Sequence, residues 1–333
     1  MKAISTELLA LDLKDQKILA QLFRNGRASY SEIAKATQLS KDVVQYQIEK
    51  FIGTGVMTNV STIVDASKFG WQSALVFFKL VNLDKAKIKG FINYLVESPF
   101  VVEILELAGG WDFAARFYYE NLNDLSSAMG NLEREFSSLI AEHQMFFISK
   151  NIFQPYNALF EKYKFDFQER RAEASKLDEL DFKILAALSL DGRKSLEQLS
   201  KELKENRMTI YNRIKKMIRA NVILQFRPNI FTEKLGFHWY LISIKLNGHS
   251  EQKIKSVLNN ISGAMPVHLI MSGFGFADVI FHVQVKTVQD LQRVLYLLRE
   301  ELSVDIKSIE SANVIKDYKW DFFPKGFLEE ALS

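Results

Sequence analysis

The 333-residue chain contains no cysteine. That removes thiol catalysis, disulfides and cysteine zinc sites, and it suits a reducing compartment. Long apolar runs are also missing: none approaches the roughly 20 residues of a membrane span. The start, MKAISTELLALDLKD, has one early lysine and a short apolar patch soon interrupted by acids. This is a poor signal peptide, so a cytoplasmic protein without a membrane partner is expected. The five histidines, His143, His238, His249, His268 and His282, show no ligand spacing, and no metal site is expected. There is no GxSxG element, no P-loop and no GxGxxG after a strand. Gly273-Phe274-Gly275 leads into a strand and is not a phosphate cradle. No cofactor is expected. The rest of the composition, 48% hydrophobic and 25% charged, is ordinary for a globular protein. The length allows about two to four domains.

Net charge is only +3, but it is unevenly spread. Residues 1–166 have a net charge of −1 and residues 167–333 one of +4, and the stretch 176–236 holds 13 bases against 8 acids. A polyanion would dock there. The same stretch belongs to a repeat. Residues 11–57 align with 177–223 without a gap, at an offset of 166. Asp15 falls on Asp181, Lys17-Ile18-Leu19-Ala20 on Lys183-Ile184-Leu185-Ala186, Gly26-Arg27 on Gly192-Arg193 and Ile48 on Ile214. A repeat of this length is a whole unit and not a solenoid repeat. The offset persists at Lys68/Lys234, Gly70/Gly236 and Asp112/Asp278, so about half the chain is duplicated.

Each copy opens with three helices. In copy one, Ile18, Leu19 and Leu22 form an apolar stripe with Asp15 early in the helix, which ends at Arg24-Asn25-Gly26. Ser29 or Ser31 caps a second helix, a tight turn follows at Thr37-Gln38-Leu39, and Ser40 caps a third. The third helix buries Val44, Ile48 and Phe51 and turns its polar side chains outward. A strand pair within 58–64 is expected as a wing. Helix, helix, turn, helix, wing is a winged helix-turn-helix, whose third helix enters the major groove. There follow a strand at 72–81, a helix at 84–97, a strand at 101–107, a hairpin turn, a strand at 113–119, a long helix at 123–140 and a strand at 143–152. Copy two repeats this order, with a helix at 251–259. The expected fold class is α+β: two tandem copies of a winged helix-turn-helix followed by a ferredoxin-like βαββαβ sandwich. The boundaries are winged helices at 8–68 and 176–234, sandwiches at 69–155 and 235–323, and a linker at 156–175.

Recognition helices are expected at 41–52 and 207–219. The second offers Arg207, Thr209, Tyr211, Asn212, Arg213, Lys215 and Lys216, with Arg219 beyond them. Asn and Arg read base edges, and Lys and Arg hold phosphates. Arg213 has a second role open to it, bracing the fold, and Arg227 is a phosphate candidate. The first helix offers Lys41, Gln45, Tyr46 and Lys50, but Asp42 and Glu49 balance its lysines, so weaker DNA contact is expected there. Arg27 and Arg193, each after a helix-ending glycine, are expected to tie helices together.

In combination these residues resemble the leucine-responsive regulator/AsnC family of transcription regulators. The pattern is Leu11-Asp12-x-x-Asp15, Gly26-Arg27, Ser40 before the third helix, Lys68-x-Gly70 and Gly109-x-Trp111-Asp112. Copy two carries Leu177-Asp178-x-x-Asp181, Gly192-Arg193, Arg213-Ile214, Lys234-x-Gly236 and Gly275-x-x-Asp278. The resemblance implies a sequence-specific double-stranded DNA-binding transcription regulator. It also implies a small-molecule effector such as an amino acid, at a pocket bordered by Gly109, Asp112, Gly275 and Asp278. The plainer reading of those four is a hairpin turn. A tandem copy resembles a joined dimer, with the sandwiches pairing within the chain or in a homodimer. Gln47 stands where the family usually has the arginine kept at Arg213, and Asn206 and Asn221 replace a usual serine and glycine. Siroheme decarboxylases are similar in architecture but place His, Tyr and Arg on the middle strands. Residues 100–110 have neither His nor Arg, and copy two has His268 without the rest, so an enzyme ranks below a regulator. A third alternative is a regulator acting mainly through protein assembly.

Overall fold

The computed structural model describes residues 9–81, 84–153, 159, 176–248, 265–302, 306–324 and 326–327. Copy one contributes α1 (Leu13–Arg24), α2 (Tyr30–Thr37), α3 (Lys41–Gly53), β1 (Met57–Val64), β2 (Gln72–Leu80), α4 (Lys85–Glu97), β3 (Val101–Ala108), β4 (Phe113–Tyr119), α5 (Leu122–Glu135) and β5 (Ile140–Phe153). Copy two contributes α6 (Glu179–Leu190), α7 (Leu196–Leu203), α8 (Arg207–Arg219), β6 (Ile223–Ile230), β7 (His238–Leu246), β8 (Val267–Gly275), β9 (Val279–Val285), α9 (Val288–Leu302) and β10 (Ile306–Trp320). The helix expected at 251–259 and nearly all of the 156–175 linker lie outside the described residues.

Two compact units result, and they sort the elements by kind and not by copy. The first gathers both helix-turn-helix segments with the residues from Phe322 on; the second gathers both sandwiches.

In the first unit the caps start each helix as the sequence dictates. Asp12 and Asp178 each form a capping box with the acid three residues on, and Ser29 and Ser195 do so with Glu32 and Gln198. Ser40 Oγ accepts from Val43 N, and Asn206 Oδ1 from Met208 N. The turn before each third helix passes through a left-handed residue, Gln38 or Lys204. After it, Gly55 and its counterpart Asn221 are again left-handed, a position asparagine tolerates.

The wing differs from expectation. The polar stretch after α3 forms one strand, not a pair, and β1 pairs antiparallel with β6 of the other copy from Met57↔Ile230 to Val64↔Ile223. A lone strand leaves its N–H and C=O groups unpaired, and the duplicate supplies the complementary edge. The strand also bonds the other copy's helical segment: Thr62 Oγ1 donates to Leu188 O at 2.8 Å and Gly192 N to Val60 O at 2.7 Å. A Cβ on Gly192 would come within 2.6 Å of Val60 O, and one on Gly26 within 2.7 Å of Phe226 O. Both glycines are therefore imposed by close backbone approach.

Arg27 and Arg193 do tie helices together, and they do so between copies. Arg27 donates to Gly192 O and Lys194 O, and Arg193 donates to Gly26 O and Ala28 O at 2.8 and 3.0 Å. Arg27 lies over Phe226 and Arg193 over Tyr30. The exchange is reciprocal, as a two-fold relation requires.

In the second unit the eight strands run β10-β3-β4-β2-β5-β8-β9-β7 and close into a ring. Each copy supplies a four-stranded antiparallel sheet, and two seams join them, β10 with β3 and β5 with β8. Among the described strands, closure leaves no free edge in this sheet. Ala74, Val76 and Phe78 pack with Phe91, Leu95, Leu125 and Met129, while Ile242, Ile244 and Phe281 pack with Leu291, Val294 and Leu298. This is the alternation expected of strands with helices on one face. α5 is shorter than the expected 123–140. It stops at Glu135 because Leu139 N and Ile140 N turn back to Phe136 O, and Ile140 already opens β5.

Candidate nucleic-acid interface

The face of α8 away from its core residues Ile210, Ile214 and Met217 carries Arg207, Tyr211, Asn212, Lys215, Lys216 and Arg219, all exposed. Thr209 is half-buried. The helix has no acid anywhere along it. Lys215 Nζ lies 5.7 Å from the Tyr211 ring. α3 presents Lys41, Gln45 and Tyr46 to solvent, with Lys50 half-buried. Gln45 Nε2 is already bonded to Glu49 Oε1 at 2.9 Å, so one reading group is occupied by its own helix.

Two of the expected DNA-facing residues are placed elsewhere. Arg227 is 4% exposed, with its guanidinium over the Phe23 ring. Burial in the helix-turn-helix core removes it from phosphate contact. Arg213 takes the bracing role: its Nη1 meets Asp178 Oδ2 at 2.5 Å and Asp181 Oδ2 at 3.1 Å. It thereby holds the capping box of α6. The side-chain bond to Asp178 holds the Arg213 guanidinium above its ordinary value, and Arg213 helps hold the Asp178 carboxyl below the usual range.

Copy one lacks this brace. Asp15 is 2% exposed, its Oδ1 and the Gln47 Oε1 are buried, and neither oxygen has a hydrogen-bond partner among the described residues. Burial pushes the Asp15 carboxyl up, as it does Asp181 in copy two, but there Arg213 supplies an opposing charge that Gln47 does not. Gln47→Arg should therefore stabilise the protein by about 1 kcal/mol at neutral pH, and Arg213→Gln should cost about 2 kcal/mol. Urea unfolding at pH 7 checks both, and a gain from Arg213→Gln would contradict the assignment.

The expected effector residues are fasteners. Asp112 Oδ2 accepts from Leu80 N at 2.7 Å; Asp278 Oδ2 accepts from Leu246 N at 2.9 Å and its Oδ1 meets Lys245 Nζ at 3.1 Å. Each carboxylate ties its hairpin to the first strand of its own sheet. Gly109 and Gly275 pass under the other copy's strand, where a Cβ would come within 3.3 Å of Ala312 Cα or 2.2 Å of Met145 O. None of the four lines the cavity found beside the first hairpin, but the intervening Gly110 and Trp111 do.

A further cluster lies inside the ring and escaped the sequence reading. Glu103, Arg116, His268, His282 and Gln284 are each less than a tenth exposed. Arg116 Nη2 donates to Ser73 Oγ at 3.1 Å, and His282 Nε2 stands 3.9 Å from Glu103 Oε1. Trp239 and Trp320 pack against both imidazoles at 5.4 to 6.3 Å. Burial pushes the Glu103 carboxyl up to about 7 against the pull of Arg116, and burial with Arg116 pushes His282 down to about 3. The legible signal was two polar residues at period two within apolar strands, Arg116 and Tyr118 in FAARFYY and His282 and Gln284 in VIFHVQV.

An AsnC-type helix-turn-helix domain matches residues 11–51 and 177–218. A helix-turn-helix transcriptional regulator of Pyrococcus abyssi is 32% identical over 150 residues, 44% of this chain and 97% of the relative. The proline dehydrogenase transcriptional activator of Rhizobium radiobacter is 32% identical over 123 residues, 36% of this chain and 77% of the relative. Each spans under half of this chain, as duplication of a single-copy regulator requires. The crystal structure of a siroheme decarboxylase covers 96% of this chain and 98% of its own, with TM-score 0.62 and 14% identity, and shows the shared fold. The chain belongs to the leucine-responsive regulator/AsnC family of helix-turn-helix transcriptional regulators, with the family's unit present twice.

Proposed function

We propose that the chain is a sequence-specific double-stranded DNA-binding regulator that reads its site chiefly through α8, with α3 as the weaker reader and a small-molecule effector acting at the paired sandwiches. The acid-free exposed face of α8 carries the reading. Arg207, Lys215, Lys216 and Arg219 suit phosphate oxygens, and Asn212 with Arg207 suits base edges. Arg213 is paired with Asp178 and Asp181 and Arg227 is buried, so neither is assigned to DNA.

A salt titration of duplex binding tests it. Arg207→Ala/Lys215→Ala/Lys216→Ala should lower the slope of log K against log salt by about 3 and weaken binding at least tenfold. Lys41→Ala/Lys50→Ala should change the slope by less than 2. An unchanged slope in the α8 variant would refute the assignment.

The decarboxylase reading is weaker on geometry. Glu103, Arg116, His268 and His282 are all buried, the two imidazoles edge-on to each other, and the cavity beside the first hairpin is lined by none of the four. A large planar substrate would find no open face at these groups.

A further inference from the structure

The two seams of the second unit are twins under the 166-residue offset, yet they differ in how far their pairing runs. At β5–β8 the ladder continues to Phe146↔Gly275, and Phe276 N then donates to Met145 O at 3.4 Å. At β10–β3 it stops at Asn313↔Ala108, so the rung equivalent to Phe146↔Gly275, between Ala312 and Gly109, is not made. There a cavity of ≈ 270 Å³ opens. Phe77, Trp111 and Leu241 give it apolar surface, and Ser243 and Glu310, which are cross-strand neighbours, give it polar groups.

The twin location is filled. Phe276 stands where the open seam has Gly110, and Phe146 where it has Ala312. Phe276 packs edge-on to Phe77 at 5.0 Å and against Phe146 at 6.5 Å. Gln144 stands where the open seam has Glu310, and its amide is bonded to Glu142. So the open seam has Gly110, Ser243 and Ala312 where the sealed seam has Phe276, Phe77 and Phe146, has Trp111 in place of Ala277, and gains a carboxylate at Glu310. No lysine or arginine is among the described residues lining the cavity. A carboxylate beside aromatic faces in a partly enclosed site favours a cation with an apolar body.

We propose that the β10–β3 seam binds one small organic cation per chain, with its ammonium at Glu310 and Ser243 and its apolar body against Trp111, Phe77 and Leu241, and that the β5–β8 seam binds none. This deepens the effector part of the regulator reading. Binding is measured on the free chain, so a failure of DNA recognition would leave it standing.

Isothermal titration of the full chain with isoamylamine, isovalerate and leucine tests it. Isoamylamine should bind at one site per chain and at least tenfold more tightly than either of the others. Glu310→Gln, a change at an exposed position, should weaken it about tenfold, and Gly110→Phe, which copies the plug of the sealed seam, should abolish it with the melting temperature retained. No isoamylamine binding, equal binding of isovalerate, tighter binding of leucine, two sites per chain, or an unchanged affinity in Glu310→Gln would each overturn the proposal.

Discussion

Replacing Arg27 and Arg193 together by alanine should lower the stability of the helix-turn-helix unit by about 5 kcal/mol. Each guanidinium donates two hydrogen bonds to backbone carbonyls of the other copy and lies over an aromatic ring. Removing one takes away two charge-assisted bonds and the packing of its stem, together worth about 3 kcal/mol. The pair is coupled. Burial, and after it the neighbouring Asp191 and Arg193 charges, act on the Arg27 guanidinium, with burial and Arg193 drawing its pKa down. Two cations that repel partly offset each other's contribution, so each single variant loses less than its bonds are worth. The double variant should then lose more than the sum of the singles. Lysine should not rescue either site, because one ammonium does not reproduce a two-pronged donor. Urea unfolding of the four proteins in a double-mutant cycle, with amide exchange on α1 and α6, measures this. Single losses below about 0.5 kcal/mol, with a strictly additive double, would show that the copies are held by β1–β6 pairing alone.

The helices were legible because their information is local. Asp12, Ser29, Ser40 and Asn206 sit one residue ahead of the helices they cap, and the apolar stripe of each helix repeats within a few residues. Pairing partners were not legible in the same way. β1 meets β6 and β5 meets β8 across more than a hundred residues, and a polar strand such as MTNVSTIV accepts any complementary edge. The candidate site divides along the same line. Exposed cations on α8 follow from helical period, so Arg207, Lys215 and Lys216 were found by counting. Whether a cation at that spacing faces solvent or an acid depends on another helix. Arg213 meets Asp181 of α6 and its cap Asp178, over thirty residues away in sequence. The missed cluster shows the same limit, since Glu103 and His282 come from different copies and meet only when the ring closes.

Glu103→Gln should stabilise the protein by about 3 kcal/mol at pH 8 and by little at pH 4. Glu103 is 3% exposed, and burial outweighs the attraction of Arg116, with Asp317 adding to the upward push. Its carboxyl titrates near 4.5 in an unfolded chain and near 7 in the folded one. Below pH 4.5 both states hold the proton, and glutamine, which mimics the protonated acid, changes little. As pH rises from 4.5 to 7 only the folded state keeps the proton, so the wild type loses stability relative to the variant, and the difference levels off above 7. His282 works in the opposite direction. Its folded value is pushed down to about 3 from 6.5. The unfolded chain therefore binds the extra proton below 6.5, and stability falls as pH drops through that window towards 3. Between about pH 4.5 and 6.5 the two slopes oppose each other, and together these groups leave wild-type stability nearly flat there. Removing the carboxylate uncovers the histidine, so the stability of Glu103→Gln should rise with pH across the same range. Urea unfolding at half-unit steps from pH 4 to 8 reads both curves. A variant whose curve runs parallel to the wild type would mean that Glu103 carries no excess proton in the folded ring, and that its charge is matched by Arg116 after all.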